Sequence, residues 1–172
     1  MPVLLDERKT LDLVKNHGEF KATLVALALN SDLAVLDAHV HTVAQKWFRL
    51  AREHHNEASS ANPVICPRTV YSRAYYAVYN ASKAVRYIAR GYVSLRGDDH
   101  RKVADLPDRF PDVDAWAAKL PVLYEHRLRA DYDNWTNSSA ENTRSATQCL
   151  NDATEFLGVA AGFLSSEYGI TI

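Results

Sequence analysis

The chain has little of what staples, wires or threads a small domain. Only two cysteines, Cys66 and Cys149, occur in 172 residues, far apart and outside any CxxC pair. That excludes a disulfide framework and argues against a zinc site, and both read as buried core thiols. No apolar run is long enough to span a bilayer. The N-terminus lacks the positive start, apolar stretch and small-residue cleavage site of an export signal, so the expected location is the cytoplasm. The sequons at Asn80, Asn134 and Asn137 then carry no meaning. Period-two alternation and Asn-Gly or Asp-Gly turns are missing, which removes β-hairpins. There is no Walker-type glycine loop, no GxGxxG and no GxSxG, so P-loop hydrolysis, dinucleotide redox chemistry and α/β-hydrolase chemistry lack support. Among seven histidines, no HExxH or His-x3-His occurs; His39 and His41 leave their helix on nearly opposite sides, and His54 and His55 are adjacent. No metal or cofactor is expected.

What is present is helical periodicity around ample apolar content, 47% of the chain. Leu33, Leu36, Val40, Val43, Trp47 and Leu50 recur at three- and four-residue steps after a cap at Ser31, predicting a long amphipathic helix to about Glu57. Residues 57–67 read as a connector, and Pro67 opens a helix that runs to Arg90 and stops at Gly91. A short helix is expected around His100–Leu106, another over Asp112–Leu120, and a third opened by Pro121 and reaching Tyr132. Ser138 and Glu141 form a capping-box pair for a last helix. Its core face is Ala146, Cys149, Leu150, Ala153, Leu157, Ala160 and Leu164, and it ends near Gly169. Leu11–Asn30 holds one or two short helices divided at Gly18. The expected architecture is an all-α, up-and-down bundle of four to five helices over residues 31–168, preceded by an N-terminal helical extension over 1–30.

The helix over Val70–Arg90 carries the strongest signal. At about 100° per residue, Ala74, Ala77, Ala81, Ala84, Val85 and Ile88 form a small-residue stripe suited to close helix approach. Ser72, Tyr76, Tyr79, Lys83, Arg86 and Arg90 form the opposite face, flanked by Arg73, Asn80 and Tyr87. No Asp or Glu lies between Glu57 and Asp98, whereas Arg68, Arg73, Lys83, Arg86, Arg90 and Arg96 do. Such a basic, aromatic face suits phosphates and stacked bases; alternatively it is solvated or pairs with acids between Asp105 and Asp114. Further on, Arg127 sits between Leu123 and Ala130 on one flank and Tyr124 and Asp131 on the other. Arg127 and Asp131 are either an ion pair locking two helices or part of a phosphate cleft shaped by Tyr132. His100 and His126 are candidate acid–base groups, since histidine changes charge near neutral pH; a capping or merely exposed histidine is the other reading.

The run Ser72-Arg73-Ala74-Tyr75-Tyr76-Ala77-Val78-Tyr79-Asn80-Ala81, then Gly91, then His100 with Val103, then Leu123 followed by Arg127-Leu128-Arg129-Ala130-Asp131-Tyr132, resembles the HEPN domain (higher eukaryotes and prokaryotes nucleotide-binding). The match is to its small bacterial and archaeal branch and spans about Ser31 to Leu164. The resemblance implies a dimerising bundle of four or five helices that binds RNA or a nucleotide. It also implies the toxin-like half of a two-gene module with a minimal nucleotidyltransferase antitoxin, or else a metal-independent endoribonuclease. Nuclease members carry Arg-x4-6-His, with Arg on the scissile phosphate. Here Arg127 matches the arginine, but Asp131, Tyr132, Asp133 and Asn134 follow at the histidine's distance, which favours binding over cleavage. Arg49 and His54 have the motif spacing, yet diverge by about 140° on the first long helix, so that spacing is coincidental. The implied catalytic set is Arg127 with His100 or His126. The ligand set is Ser72, Arg73, Tyr76, Asn80, Lys83, Arg86, Asp131 and Tyr132. A protein–protein adaptor is the third reading.

Overall fold

The computed structural model describes residues 14–29, 32–94, 97–133 and 142–172. The described residues form five α-helices: α1 (His17–Ala26), α2 (Leu33–Ser60), α3 (Pro67–Arg90), α4 (Val113–Tyr132) and α5 (Ala146–Tyr168), with a 3-10 turn at Gly97–Lys102 between α3 and α4. The described residues contain no strand, and the protein is an all-α helical bundle. Among them no helix is long and apolar enough to cross a membrane.

The bundle is organised around α3, which packs against α2, α4 and α5. Every residue from Ala77 to Ile88 is buried, so the helix has no solvent face over that half of its length. The alanine stripe is wholly buried, and α2 buries Val40, Val43, Ala44, Phe48 and Ala51; small side chains in the core let helix backbones approach closely. Phe156 and Phe163 of α5 close the far end of the core with Phe110 and Trp116.

Several boundaries fall where the residues predict. Pro67 opens α3, and Gly91, at φ 77°, ends it; Gly169, at φ 65°, ends α5. Others differ. The helix α2 continues to Ser60. The short helix before α4 is the 3-10 turn and begins earlier than His100. Pro121 does not start a helix but lies inside α4. Its missing N–H costs one bond, but Ala117 and Pro121 face solvent, where water can take the freed carbonyl. Trp116, Leu120 and Leu123, all buried, hold both halves on the core. The capping box of α5 is Ser145 with Gln148; Ser31, Ser138 and Glu141 lie outside the described residues. Cys149 is buried, and burial pushes its thiol pKa up to about 12. Cys66 is exposed in the α2–α3 connector rather than in the core.

Gly18 also differs from expectation, because the turn falls at Lys15 and Asn16 and Gly18 belongs to α1. Its N–H donates to the Gly91 carbonyl at 2.8 Å, Val93 N–H donates to Lys15 O at 2.8 Å, and the His17 ring N–H donates to Tyr87 O at 2.9 Å. A Cβ at Gly91 would lie 2.9 Å from the Gly18 Cα, so two glycines make this docking possible. Gly91→Ala combines that clash with a left-handed φ and is expected to lower stability by about 2 kcal/mol. Gly162→Ala, with open space around its Cβ, should leave stability unchanged or raise it by up to about 1 kcal/mol. Urea unfolding of the two variants, compared with the parent, checks both.

Candidate functional site

The two segments singled out in α3 and α4 meet at Arg127. Its guanidinium donates to the Tyr76 hydroxyl and lies 5.0 Å from the Tyr76 ring centroid and 5.3 Å from that of Tyr132. Its Nε is 2.8 Å from Asp131 Oδ2, an ion pair set off the N–H direction, since that N–H reaches no acceptor. Burial opposes the charge, but the Tyr76 hydroxyl and Asp131 outweigh it, and Arg127 stays firmly cationic. Arg127 is 8% exposed and Tyr132 67%, so the cluster has a buried floor and an open lip. The i,i+4 spacing of Arg127 and Asp131 on α4 is what brings the pair together.

On the α2 side of Tyr76 stands His54, its ring centroid 5.4 Å from that of Tyr76. Arg73 approaches it, with Nη1 3.3 Å from His54 Nδ1, while Arg73 Nε pairs with Glu57 at 3.0 Å. On the other side lies His100. Its ring stacks on Tyr79 with centroids 4.2 Å apart, lies parallel to Tyr124 at 6.1 Å and meets Tyr76 edge-on at 6.0 Å. Nδ1 of His100 is 2.9 Å from the Tyr75 hydroxyl. Burial first, and then the positive charge of Arg127, lower the pKa of His100 against the pull of Asp99, so the ring is neutral at pH 7.

His100 is carried there by its neighbour. Asp99, 1% exposed, accepts from both Nη atoms of Arg86 at 3.0 Å and from the Tyr79 hydroxyl at 3.0 Å, and Lys83 Nζ lies 3.6 Å away. Burial alone would raise the Asp99 pKa, but Arg86, Lys83 and Tyr79 together hold it below the usual carboxylate range. Lys83 and Arg86 are therefore buried behind the 3-10 turn, and the crevice above Arg86, between Arg90, Lys102 and Asp105, measures about 10 Å³. That is room for no more than a water. Arg90 pairs with Asp105. Of the readings of this face, pairing with acids holds for Arg73, Lys83, Arg86 and Arg90, which meet Glu57, Asp99 and Asp105; of these acids only Asp105 lies in the expected range Asp105–Asp114.

Of the expected site residues, Arg127, Tyr76, Asp131, Tyr132 and His100 converge, and Arg73 borders them. Ser72 is half-buried one turn before Tyr76. Asn80 is buried and donates to the Tyr76 carbonyl of its own helix at 2.8 Å. His126, adjacent to Arg127, points elsewhere: it is 1% exposed, packs edge-on against Tyr71 and accepts from the Arg144 N–H at 3.2 Å. It fixes the entry to α5 and has no part in the cluster. Tyr75, Tyr124, Asp99 and His54 were not expected in the site. The only sequence signal for Asp99 was its position at the edge of the acid-free stretch. Among the described residues no group of His, Cys, Asp and Glu could hold a metal ion.

Comparison with family models, with curated proteins and with solved structures finds no match to this chain. The geometry of the cluster therefore carries the functional argument.

Asp99→Asn leaves two cations buried without their counter-charge and should lower stability by about 3 kcal/mol or more at pH 7. A depressed folded-state pKa means the Asp99 contribution is complete above the unfolded value of about 4 and is lost as pH falls through the folded one. Urea midpoints measured from pH 7 to pH 2 should converge for parent and Asp99→Asn at the acid end; parallel curves would contradict the assignment.

Proposed function

We propose that this chain is a HEPN-like protein that binds RNA or a nucleotide at the Arg127 cluster, as the toxin-like component of a two-gene module with a minimal nucleotidyltransferase. The observation that carries this reading is the contact between Arg127 and Tyr76. They stand 51 residues apart in sequence, one in each of the two segments on which the resemblance rests, and they meet where a buried cation opens toward solvent. A guanidinium between two tyrosine rings has the elements for a phosphate and a base: a planar donor fork and aromatic faces. The exposed ring of Tyr132 is the stacking surface, and Asp131 is the counter-ion an incoming phosphate would displace. A homodimer would complete the open lip, and light scattering at micromolar concentration tests it: twice the monomer mass is expected.

The second reading, metal-independent cleavage of RNA, is favoured by one specific observation, the neutral imidazole of His100 on the same tyrosine as Arg127. In that reading Arg127 stabilises the charge on the five-coordinate phosphorus. His100 takes the proton of the 2′-hydroxyl, and water protonates the leaving 5′-oxygen.

Both readings turn on Arg127. Asp131 lies at the open lip, its side chain 26% exposed, so loss of its partner strands no fully buried charge. Arg127→Ala is expected to fold, with stability lower by about 1–3 kcal/mol, while affinity for labelled RNA or nucleotide falls at least about tenfold. Arg127→Lys should bind in part, because a point charge keeps attraction without the fork. RNA incubated in EDTA separates the readings. Cleavage lost in both Arg127→Ala and His100→Ala, with a rate rising through a pKa below 6.5, supports the second. Intact RNA with retained binding supports the first. Full affinity in a folded Arg127→Ala protein would leave the adaptor reading.

A further inference from the structure

A second cationic feature lies on the other flank of α2. His54 and His55 are consecutive but leave the helix about 100° apart: His54 faces Tyr76 on α3, whereas His55 meets Thr154 of α5, Nε2 to Oγ1, at 2.7 Å. On the His55 side, a cleft of about 360 Å³ is lined by Thr42, Gln45, Lys46, Arg49, Arg52 and residues 171–172. Arg52 is shared with a second cleft of about 340 Å³, whose polar lining is His55, Asn56 and Thr154 and whose floor is Phe48, Leu157, Gly158 and Ala161. No Asp or Glu side chain lines either cleft. The nearest acid on α2 is Glu53, 3.9 Å from Arg49 in a loose pair.

Part of this chemistry is structural. Gln45 donates to Thr171 O at 2.8 Å and Arg52 to Ile172 O at 3.2 Å, which ties residues 171–172 to α2. That tether has no use for Arg49, whose side chain is 73% exposed. Lys46, Arg49 and Arg52 follow at three-residue steps, each about 4.5 Å along the helix and about 60° around it, so the row crosses α2 obliquely; His55, one step on, is turned about 180° from Lys46, bonds Thr154 and has its pKa lowered by burial, so it adds no charge to the row. A regular row of donors fits a ligand with one negative charge at every repeat. In a nucleic-acid strand the phosphates lie about 3.4 Å apart along the axis when stacked and farther apart when extended.

We infer that this groove binds the phosphodiester backbone of a single-stranded nucleic acid, independently of base sequence. No aromatic ring lines it beyond Phe48, which is buried at 1% exposure, so contact is to phosphates and binding is governed by salt. The groove is separate from the Arg127 cluster and does not rest on the function proposed for it.

The test is fluorescence anisotropy with a labelled oligouridylate of about 12 nucleotides, over a range of salt concentrations, on the full chain. Arg49→Gln should weaken binding about tenfold at low salt and reduce the slope of log K against log salt by about 0.7; adding Lys46→Gln should remove about 0.7 more. Circular dichroism and urea unfolding of Arg49→Gln should match the parent. Unchanged affinity and slope in folded Arg49→Gln would overturn the inference. So would inorganic tripolyphosphate that binds as tightly as the oligonucleotide, because the groove would then serve a free phosphate chain. Arg127→Ala separates the two sites. A loss there with Arg49→Gln unaffected refutes the groove and leaves the cluster standing, and the reverse pattern refutes the cluster and leaves the groove.

Discussion

Asp99 is one carboxylate buried against two cations, and the arrangement of the aromatic cluster follows from it. Arg86 grips both of its oxygens, Tyr79 donates to one, and Lys83 adds charge. Arg86 Nε is held in turn at 3.2 Å from Ser82 Oγ, whose hydroxyl donates to Val103 O at 2.6 Å. Because the hydrogen bonds of the carboxylate are made on several sides, the cost of burying it is offset, whereas an isolated charge there would be prohibitive. The network pins the 3-10 turn to the middle of α3. His100 is the next residue, so the same anchor delivers its ring to Tyr75, Tyr76 and Tyr79. A basic helix face that would otherwise attract polyanions becomes internal scaffold, and the basic character that remains near Tyr76 is that of Arg73 and Arg127.

The central helix explains why its pattern was readable on one side and misleading on the other. A stripe of Ala74, Ala77, Ala81 and Ala84 has one physical use, close packing, and all four are fully buried. The opposite face has two uses. Tyr, Lys and Arg at helical spacing look the same whether they meet water, a phosphate or a buried carboxylate, because the partner is supplied by a segment distant in space and adjacent only in the folded chain. The stretch that buries them, residues 97–106, is short and polar. Of its two acids, Asp105 falls in the range from which pairing is expected, whereas Asp99, the partner of Arg86 and Lys83, lies before that range.

Local rules fared according to how local their physics is. Pro67, Gly91 and Gly169 act through φ angles and missing donors in their own residue, and each marks a helix end as read from the sequence. Pro121 obeys the same rule only where nothing else intervenes. Here three buried side chains, Trp116, Leu120 and Leu123, keep the helix continuous through it, a tertiary effect overriding a local one. Arg127 with Asp131 was legible because an i,i+4 pair is fixed by helix geometry. His54 was not legible as a neighbour of that pair. It reaches the cluster from α2, through a helix crossing that periodicity does not encode. His54, set aside because it diverges from Arg49 by about 140°, is thus drawn to Tyr76 by a packing face, and its motif distance from Arg49 has nothing to do with it.

The cluster around Arg127 also constrains what can bind there. In the free protein the guanidinium already has a phenol, a carboxylate and two ring faces as partners, so an anion that offers only what Asp131 offers gains little by replacing it. A phosphate brings more acceptor oxygens to the same fork and forms stronger charge-assisted bonds. Asp131, at the lip, can turn to water when displaced, while Tyr76 on the floor is held by α3 and keeps its bond to Arg127. The displaced partner is therefore the one whose solvation costs least, and the retained partner is the one that orients the cation. In the proposed function, that asymmetry, a fixed phenol beneath and a releasable carboxylate above, is what would separate a receptive arginine from a locked structural pair, in which both partners are buried and neither can leave.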